Sequence, residues 1–312
     1  MREVHALLVE SFGQEQVHRD APLAPLTTFK VGGTADWLVT VHGGEALRKA
    51  VAIARDAGLP LTVLGGGSNV LVSDSGVRGI VLRVHGGDVC SLNPSVVRAD
   101  GGVTINGLVR WTISRGAAGL EAWAGTPGTV GGAVYGNAHF QGRLIGERIL
   151  TVLLVKPDGT LEDVPADRME FAYDFSRLHR TREVVVSADF HVSSGEPALL
   201  RARARESLAF RKRTQPLESA SAGCIFQNPD AVRDGVPEGI PPSAGALVDR
   251  AGLKGSREGG ARVSTTHANF IVNEGGATAR EIRTLIDRCK SEVHAKFGVE
   301  LREEIVCMGE GI

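Results

Sequence analysis

Two clusters in which glycine alternates with hydroxyl and amide side chains are the parts of this sequence best suited to chemistry. In Gly65-Gly66-Gly67-Ser68-Asn69, successive residues without Cβ let backbone N–H groups converge on an anion, and the Ser and Asn side chains can bond its remaining oxygens. A pyrophosphate suits such a loop, and a tight strand-to-loop turn suits the same residues equally well. The second cluster shifts that balance. Thr126-Pro127-Gly128-Thr129-Val130-Gly131-Gly132-Ala133, with Asn137 close behind, repeats the recipe roughly 60 residues on, so two loops could hold one extended dinucleotide from both sides. Neither loop is a Rossmann fingerprint, because Val70 stands where the third glycine belongs, and no Walker A sequence occurs.

The elements around these loops follow from periodicity. Residues 45–57 place Leu47, Ala50, Val51 and Ala54 on one helical face, with Gly58 as its stop. Leu61 to Leu64 reads as a buried strand ending at the first glycine loop, and Ile80 to Leu82 as another. A helix over 105–115 ends at Gly116, and the stretch 119–142 is glycine-rich with little period, a length typical of functional loops. A hairpin follows over 150–164 around Asp158-Gly159, then a strand over 184–192 and a basic helix over 198–213. Beyond Gln215-Pro216 the spacing predicts a helix over 243–251 and a strand over 268–272. A last helix carries a Thr278/Glu281 capping box, a face of Ile282, Leu285, Ile286, Cys289 and Val293, and Gly298 as its stop. This mixture predicts an α+β fold rather than a regular βαβ winding.

With 312 residues, the chain exceeds what one core usually supports. Three lobes are expected: residues 1–84 with 300–312 returning to them, 85–213, and 214–299. A formal net charge of −1 offers no excess of positive charge for a nucleic-acid backbone. No apolar run approaches the roughly 20 residues needed to cross a bilayer, so a cytoplasmic protein without nucleic-acid or membrane partners, and a monomer, is the expectation. The four cysteines form no CxxC pair, and His267 has no partners at ligand spacing, so no metal is expected.

Several colinear segments resemble one family. Thr27-Thr28-Phe29-Lys30-Val31-Gly32-Gly33-Thr34-Ala35-Asp36, both glycine loops, Ser221-Ala222-Gly223-Cys224-Ile225-Phe226-Gln227-Asn228-Pro229, Ala251-Gly252-Leu253-Lys254-Gly255 and His267-Ala268-Asn269-Phe270-Ile271-Val272-Asn273 are similar to UDP-N-acetylenolpyruvoylglucosamine reductases. The likeness runs in order from about Pro25 to Gly309. It implies an FAD-binding module of the PCMH/vanillyl-alcohol-oxidase type in two lobes, followed by a C-terminal α+β substrate domain. It further implies NADPH as co-substrate and a UDP-linked sugar as substrate, an enolpyruvyl ether that is reduced to UDP-N-acetylmuramate for peptidoglycan synthesis.

That reaction sends hydride to the terminal enol carbon and leaves negative charge beside the substrate carboxylate, which a positioned acid must quench. The resemblance places the donor at Cys224, where the family has Ser. A thiol with an ordinary pKa of roughly 8.5 is protonated at neutral pH and is a stronger acid than a hydroxyl. The family's glutamate falls at Glu304, and the resemblance puts Asn228 and Ser176 at the substrate; the basic run Arg211-Lys212-Arg213 could meet the substrate's diphosphate, although a solvated helix end suits it at least as well. Read without it, Cys224 is a packing residue, and Glu303 and Glu304 are an acidic pair on a solvated strand edge.

One departure stands out. The family pattern Phe-x-Tyr-Arg-x-Ser, whose Arg stabilises the anionic intermediate, is here Phe171-Ala172-Tyr173-Asp174-Phe175-Ser176. A carboxylate in that slot opposes the developing charge, so either Arg177 or Arg180 compensates, or the chain keeps the fold as a flavin- or UDP-sugar-binding protein with impaired reduction. An FAD-dependent oxidase on the same two-loop fold is a third reading. The short interval from Asp174 to Cys224 resembles the family's compact subclass.

Overall fold

The computed structural model describes residues 2–312, which form two compact units. The first comprises the chain up to Ala21 with Ala35–Gly66 and Arg78–Phe210; the second comprises Pro22–Thr34, Gly67–Val77 and Arg211–Ile312. The mixed helices and strands are those of an α+β protein.

The first unit contains two cores. In one, the helix Gly44–Asp56 buries Leu47, Ala50, Val51, Ile53 and Ala54, and Gly58, at φ 62°, ends its run. That face packs with Trp37, Val39, Ile80 and Leu82 from a four-stranded sheet. The strand order is Val17–Pro22, Thr34–Val41, Val77–Val84, Leu61–Leu64, and the last two are parallel, with Leu61 opposite Ile80. Val77–Val84 reads as a nearly continuous apolar run because Ile80, Val81 and Leu82 are all fully buried.

The other core lies on an antiparallel five-stranded sheet ordered Leu161–Pro165, Ile149–Val155, Val184–His191, Val96–Asp100, Val89–Asn93. The helix Ile105–Ser114, whose N-cap Thr104 accepts from Gly107 N–H, contributes Leu108, Val109 and Ile113 to it. The predicted hairpin closes through Lys156 N–H to Thr160 O at 2.8 Å, with Asp158 Oδ1 accepting from Thr160 N–H. The stretch 119–142 is less irregular than its composition suggests, since Val130–Tyr135 is a short helix and His139–Phe140 pairs with Arg143–Leu144.

The second unit has one core. Its last helix, Ala279–Phe297, carries the predicted capping box and buries Ile282, Leu285, Ile286, Cys289 and Val293, with Gly298 at φ 71°. Asp74 adds a second cap, accepting from Ala279 and Arg280 N–H at 2.8 and 3.0 Å. The strand predicted over 268–272 is Ile271–Asn273 instead, because Phe270 N–H turns back to His267 O at 3.0 Å. Val306–Met308 pairs in parallel with Val70–Val72.

These units differ from the three expected lobes. Phe29, Val31 and Leu71, from segments expected in the first lobe, pack with Ala222, Ile225, Phe226, Leu301 and Ile305. Residues 300–312 do return to 70–72, but that strand itself belongs with the C-terminal core. Apolar residues far apart in sequence share one interior, which no local pattern announces. No helix among the described residues is long and apolar enough to cross a membrane.

Candidate active site

Within the first unit the two glycine loops touch. A Cβ built on Gly66 would lie 2.6 Å from Gly128 Cα, and one on Gly65 would lie 2.5 Å from Thr129 Oγ1. Glycine is needed at 66 so that the loop after the strand Leu61–Leu64 can meet the one before the helix Val130–Tyr135 backbone to backbone, and at 65 to clear the Thr129 side chain. Thr129 is buried and caps that helix, accepting from Gly132 N–H at 3.4 Å. Among the described residues, the N–H groups of Gly65, Gly66 and Gly128 meet no protein acceptor and remain available to an anion. A Cβ on Gly132 would make only an ordinary contact, 3.7 Å from Thr129 Oγ1, so packing alone does not demand glycine there. Clustered free amides and an unexplained glycine fit the diphosphate of a dinucleotide cofactor such as FAD.

In the second unit's share of the first loop, Gly67 is buried at φ 63°. Its carbonyl accepts from Thr28 N–H at 2.9 Å, while its own N–H and that of Ser68 have no acceptor among the described residues. Asn69 Nδ2 donates to Glu304 O at 3.0 Å, and Val306 N–H donates to Asn69 O.

Asn137 is fully buried and uses both ends of its amide inside the protein: Oδ1 accepts from Gly146 N–H at 2.8 Å, and Nδ2 donates to Ala172 O at 2.7 Å. Ser176, also fully buried, donates Oγ–H to Tyr135 O at 2.7 Å. Their side chains therefore lace the segment 135–139 to the turn 171–176 (Ala172 N–H to Phe175 O, 3.0 Å), and neither points an unengaged group at a ligand as the sequence suggested.

That turn carries Asp174, at φ 52° with its side chain 7% exposed and Oδ1 2.8 Å from His139 Nδ1. Neither arginine expected to compensate is turned to the task. Arg177 makes a two-pronged ion pair with Glu183, at 2.9 and 2.5 Å, and Arg180 pairs with Glu170 on the surface. His139 is the partner that sequence reading missed, since its contact with Asp174 spans 35 residues.

In the second unit, Cys224 and Glu304 lie on neighbouring segments. Glu304 N–H donates to Ile225 O at 2.8 Å, and Gln227 N–H to Arg302 O at 2.9 Å. The buried Asn269 locks the same strip, accepting from Phe226 N–H at 2.9 Å and donating back to Phe226 O at 2.7 Å. Cys224 is half-buried and follows Gly223, at φ 81°. All four cysteines are free thiols.

Glu303 separates cleanly from Glu304. Burial works to raise its carboxyl, but Arg283 at 2.7 and 2.9 Å and Lys290 at 2.9 Å outweigh it and hold the group below the usual range. Asn228 Oδ1 accepts from Ala244 N–H at 3.1 Å, at the start of the helix Ala244–Arg250. Arg213 is exposed in the last turn of the helix Pro197–Thr214, whereas Arg211 is 6% exposed. Burial pushes the Arg211 guanidinium down to about 10, and Cys224 acts in the opposite direction, as a neighbouring thiolate would. The signal for Arg211 was present in the helical spacing of the buried positions Leu200, Ala204, Ser207 and Arg211.

Comparison with known proteins agrees with this geometry. Residues 35–165 match the model of an FAD binding domain, and residues 215–308 match that of the UDP-N-acetylenolpyruvoylglucosamine reductase C-terminal domain. The chain is 38% identical over 296 residues to the UDP-N-acetylenolpyruvoylglucosamine reductase of Bacillus velezensis, covering 94% of each. It is 39% identical to that of Heliobacterium modesticaldum, covering 93% of this chain and 90% of the other. The solved UDP-N-acetylenolpyruvylglucosamine reductase of Thermus caldophilus superposes with a TM-score of 0.77 at 32% identity, covering 94% of this chain and 98% of that one.

Proposed function

Since the chain belongs to the UDP-N-acetylenolpyruvoylglucosamine reductase family, we propose that it reduces the enolpyruvyl ether of UDP-N-acetylglucosamine to UDP-N-acetylmuramate at the expense of NADPH. The observation that carries this reading is that the chain holds both kinds of site the reaction needs. Contacting glycine loops leave free amides in the first unit, and an acid-bearing strip fixed against a glutamate lies in the second.

FAD, when bound, supplies the two-electron carrier that takes hydride from NADPH and gives it to the terminal enol carbon. Gly65, Gly66, Gly67, Ser68, Asn69, Thr126, Pro127, Gly128, Thr129, Gly131, Gly132 and Ala133 would hold it, with Asn137 securing the loop through its buried amide. Cys224 Sγ–H delivers a proton to the carbon beside the substrate carboxylate, where hydride addition leaves negative charge. Arg211, buried and coupled to that sulfur, stabilises the thiolate left behind until solvent returns the proton. Glu304, with its backbone pinned by Ile225 and Asn69, orients the substrate. Asn228 and Arg213 engage the UDP-sugar, and Ser176 acts at one remove by holding the Asp174 turn.

The same reading takes the enzyme to be a cytoplasmic monomer working without nucleic acid or membrane. The alternative of a binding protein that has lost the reaction finds no support among the relatives compared, which carry the reductase name. The test follows NADPH oxidation with and without the enolpyruvyl nucleotide. Oxidation that depends strictly on the nucleotide supports the assignment, whereas a flavin-loaded protein indifferent to it refutes it.

A further inference from the structure

Most main-chain amides of the second glycine loop are already engaged inside the first unit. Gly125 N–H donates to Asn106 Oδ1 at 2.7 Å and Thr126 N–H to Trp123 O at 2.9 Å. Val130, Gly131 and Ala133 N–H donate to Val103 O, Gly101 O and Thr129 O at 2.8, 2.8 and 2.9 Å, and Pro127 has no N–H to give. Between Gly125 and Ala133, only the N–H groups of Gly128 and Thr129 meet no acceptor among the described residues. Gly128 is also the residue against which Gly66 of the first loop packs.

Asn106 is the side chain in this arrangement that the cradle residues do not include. It is half-buried, the second residue of the helix Ile105–Ser114, and its Nδ2 donates to Thr126 O at 3.3 Å while Oδ1 accepts from Gly125 N–H. One amide thus holds both sides of the Gly125-Thr126 step. Its orientation is fixed by its partners, since a main-chain N–H calls for the oxygen and a carbonyl for the nitrogen. The helix beneath it is anchored by the buried Ile105, Leu108, Val109 and Ile113, and Ile105 N–H donates to Gly128 O at 3.0 Å. Trp123, 2% exposed, ties the start of the same loop to Ala138 O through Nε1–H at 3.2 Å.

Gly125 stands at φ 81°, and a residue without Cβ moves readily between backbone conformations unless its N–H is held. We propose that Asn106 is a positioning residue for the cofactor. By engaging Gly125 N–H and Thr126 O it fixes the loop so that Gly128 and Thr129 N–H are the amides left for the FAD diphosphate. This inference rests on the reading of the two glycine loops as the FAD cradle.

The sign of one substitution separates positioning from a merely structural role. Asn106→Ala removes both bonds, and the Kd for FAD, titrated calorimetrically into the apoprotein, should rise about 10- to 100-fold. Asn106→Asp keeps an acceptor for Gly125 N–H and places a carboxylate in the first turn of a helix, which favours the helix. It nevertheless offers Thr126 O no donor and brings negative charge to an anion cradle. Its apoprotein should therefore melt no lower than wild type while its Kd for FAD rises at least about tenfold. A role confined to helix stability predicts the reverse, with Asn106→Asp binding FAD as wild type does. A Kd raised less than about tenfold in either variant overturns the proposal. So does a weakened Asn106→Asp whose apoprotein Tm is also lowered, because helix damage then accounts for both. Should Asn106→Ala not fold, Asn106→Asp decides alone on the same terms. Wild-type protein that takes up no FAD would instead refute the cradle itself, and this inference with it.

Discussion

Gly66→Ala is the substitution with the most calculable consequence. The new methyl would lie 2.6 Å from Gly128 Cα, against a comfortable carbon–carbon separation of roughly 3.5–4.0 Å. The obstacle is backbone rather than a side chain that can rotate, so the two loops must part by about 1 Å. A bond of about 2.9 Å from a loop amide to a phosphate oxygen would then stretch to about 3.9 Å, beyond hydrogen-bond range. Charge-assisted bonds contribute about 1.5–3 kcal/mol each, so two lost bonds amount to about 3–6 kcal/mol. FAD affinity should therefore fall by about 10²–10⁴-fold, read by calorimetric titration of the apoprotein. Gly58→Ala is the control: at φ 62° with no atom within 4 Å of the added methyl, it should cost about 1 kcal/mol of stability and leave FAD binding alone. Gly66→Ala binding FAD within threefold of wild type, on the order of 0.6 kcal/mol, would refute the account of the cradle.

Three further outcomes are expected. Cys224→Ala should lower kcat by about 10²–10⁴-fold with flavin reduction by NADPH intact, and Cys224→Ser should restore part of the loss; equal rates in all three proteins would remove Cys224 from the proton path. Asp74→Ala should destabilise the second unit by about 1–2 kcal/mol in urea titrations, because it strips the acceptor from Ala279 and Arg280 N–H. Burial lowers His179 and His267 below their ordinary value of 6.5. The unfolded chain therefore takes up protons the folded protein resists, and stability should be lost as pH falls through about 6.5. His179→Phe, which keeps the ring between Tyr135 and Phe175, should flatten the fall in Tm between about pH 7.5 and 5.5; an unchanged slope would point to other groups.

Local physics made much of this protein legible from its residues. The helices Gly44–Asp56 and Ala279–Phe297 were readable because a 3.6-residue apolar period and a terminal glycine act over neighbouring positions. The hairpin around Asp158-Gly159 was readable because turn chemistry is equally local. The strands Val89–Asn93 and Val96–Asp100 went unannounced, since the first is an exposed edge and the second alternates polar with apolar too briefly to stand out. The glycine loops and the Cys224 segment also declared themselves as residue types in order.

Only the tertiary structure decided which of those types meet. It engaged Asn137 and Ser176 inside the protein, gave Glu303 to Arg283 and Lys290 and so set it apart from Glu304, and turned Arg211 inward in place of Arg213. It also set His139 against Asp174 across 35 residues, and took Phe29, Val31 and Leu71 into the C-terminal core. Composition and period determine what a segment can become, because those forces act over a few residues. Partners for buried charges and amides are chosen by packing, which satisfies polar groups with whatever the fold brings within about 3 Å.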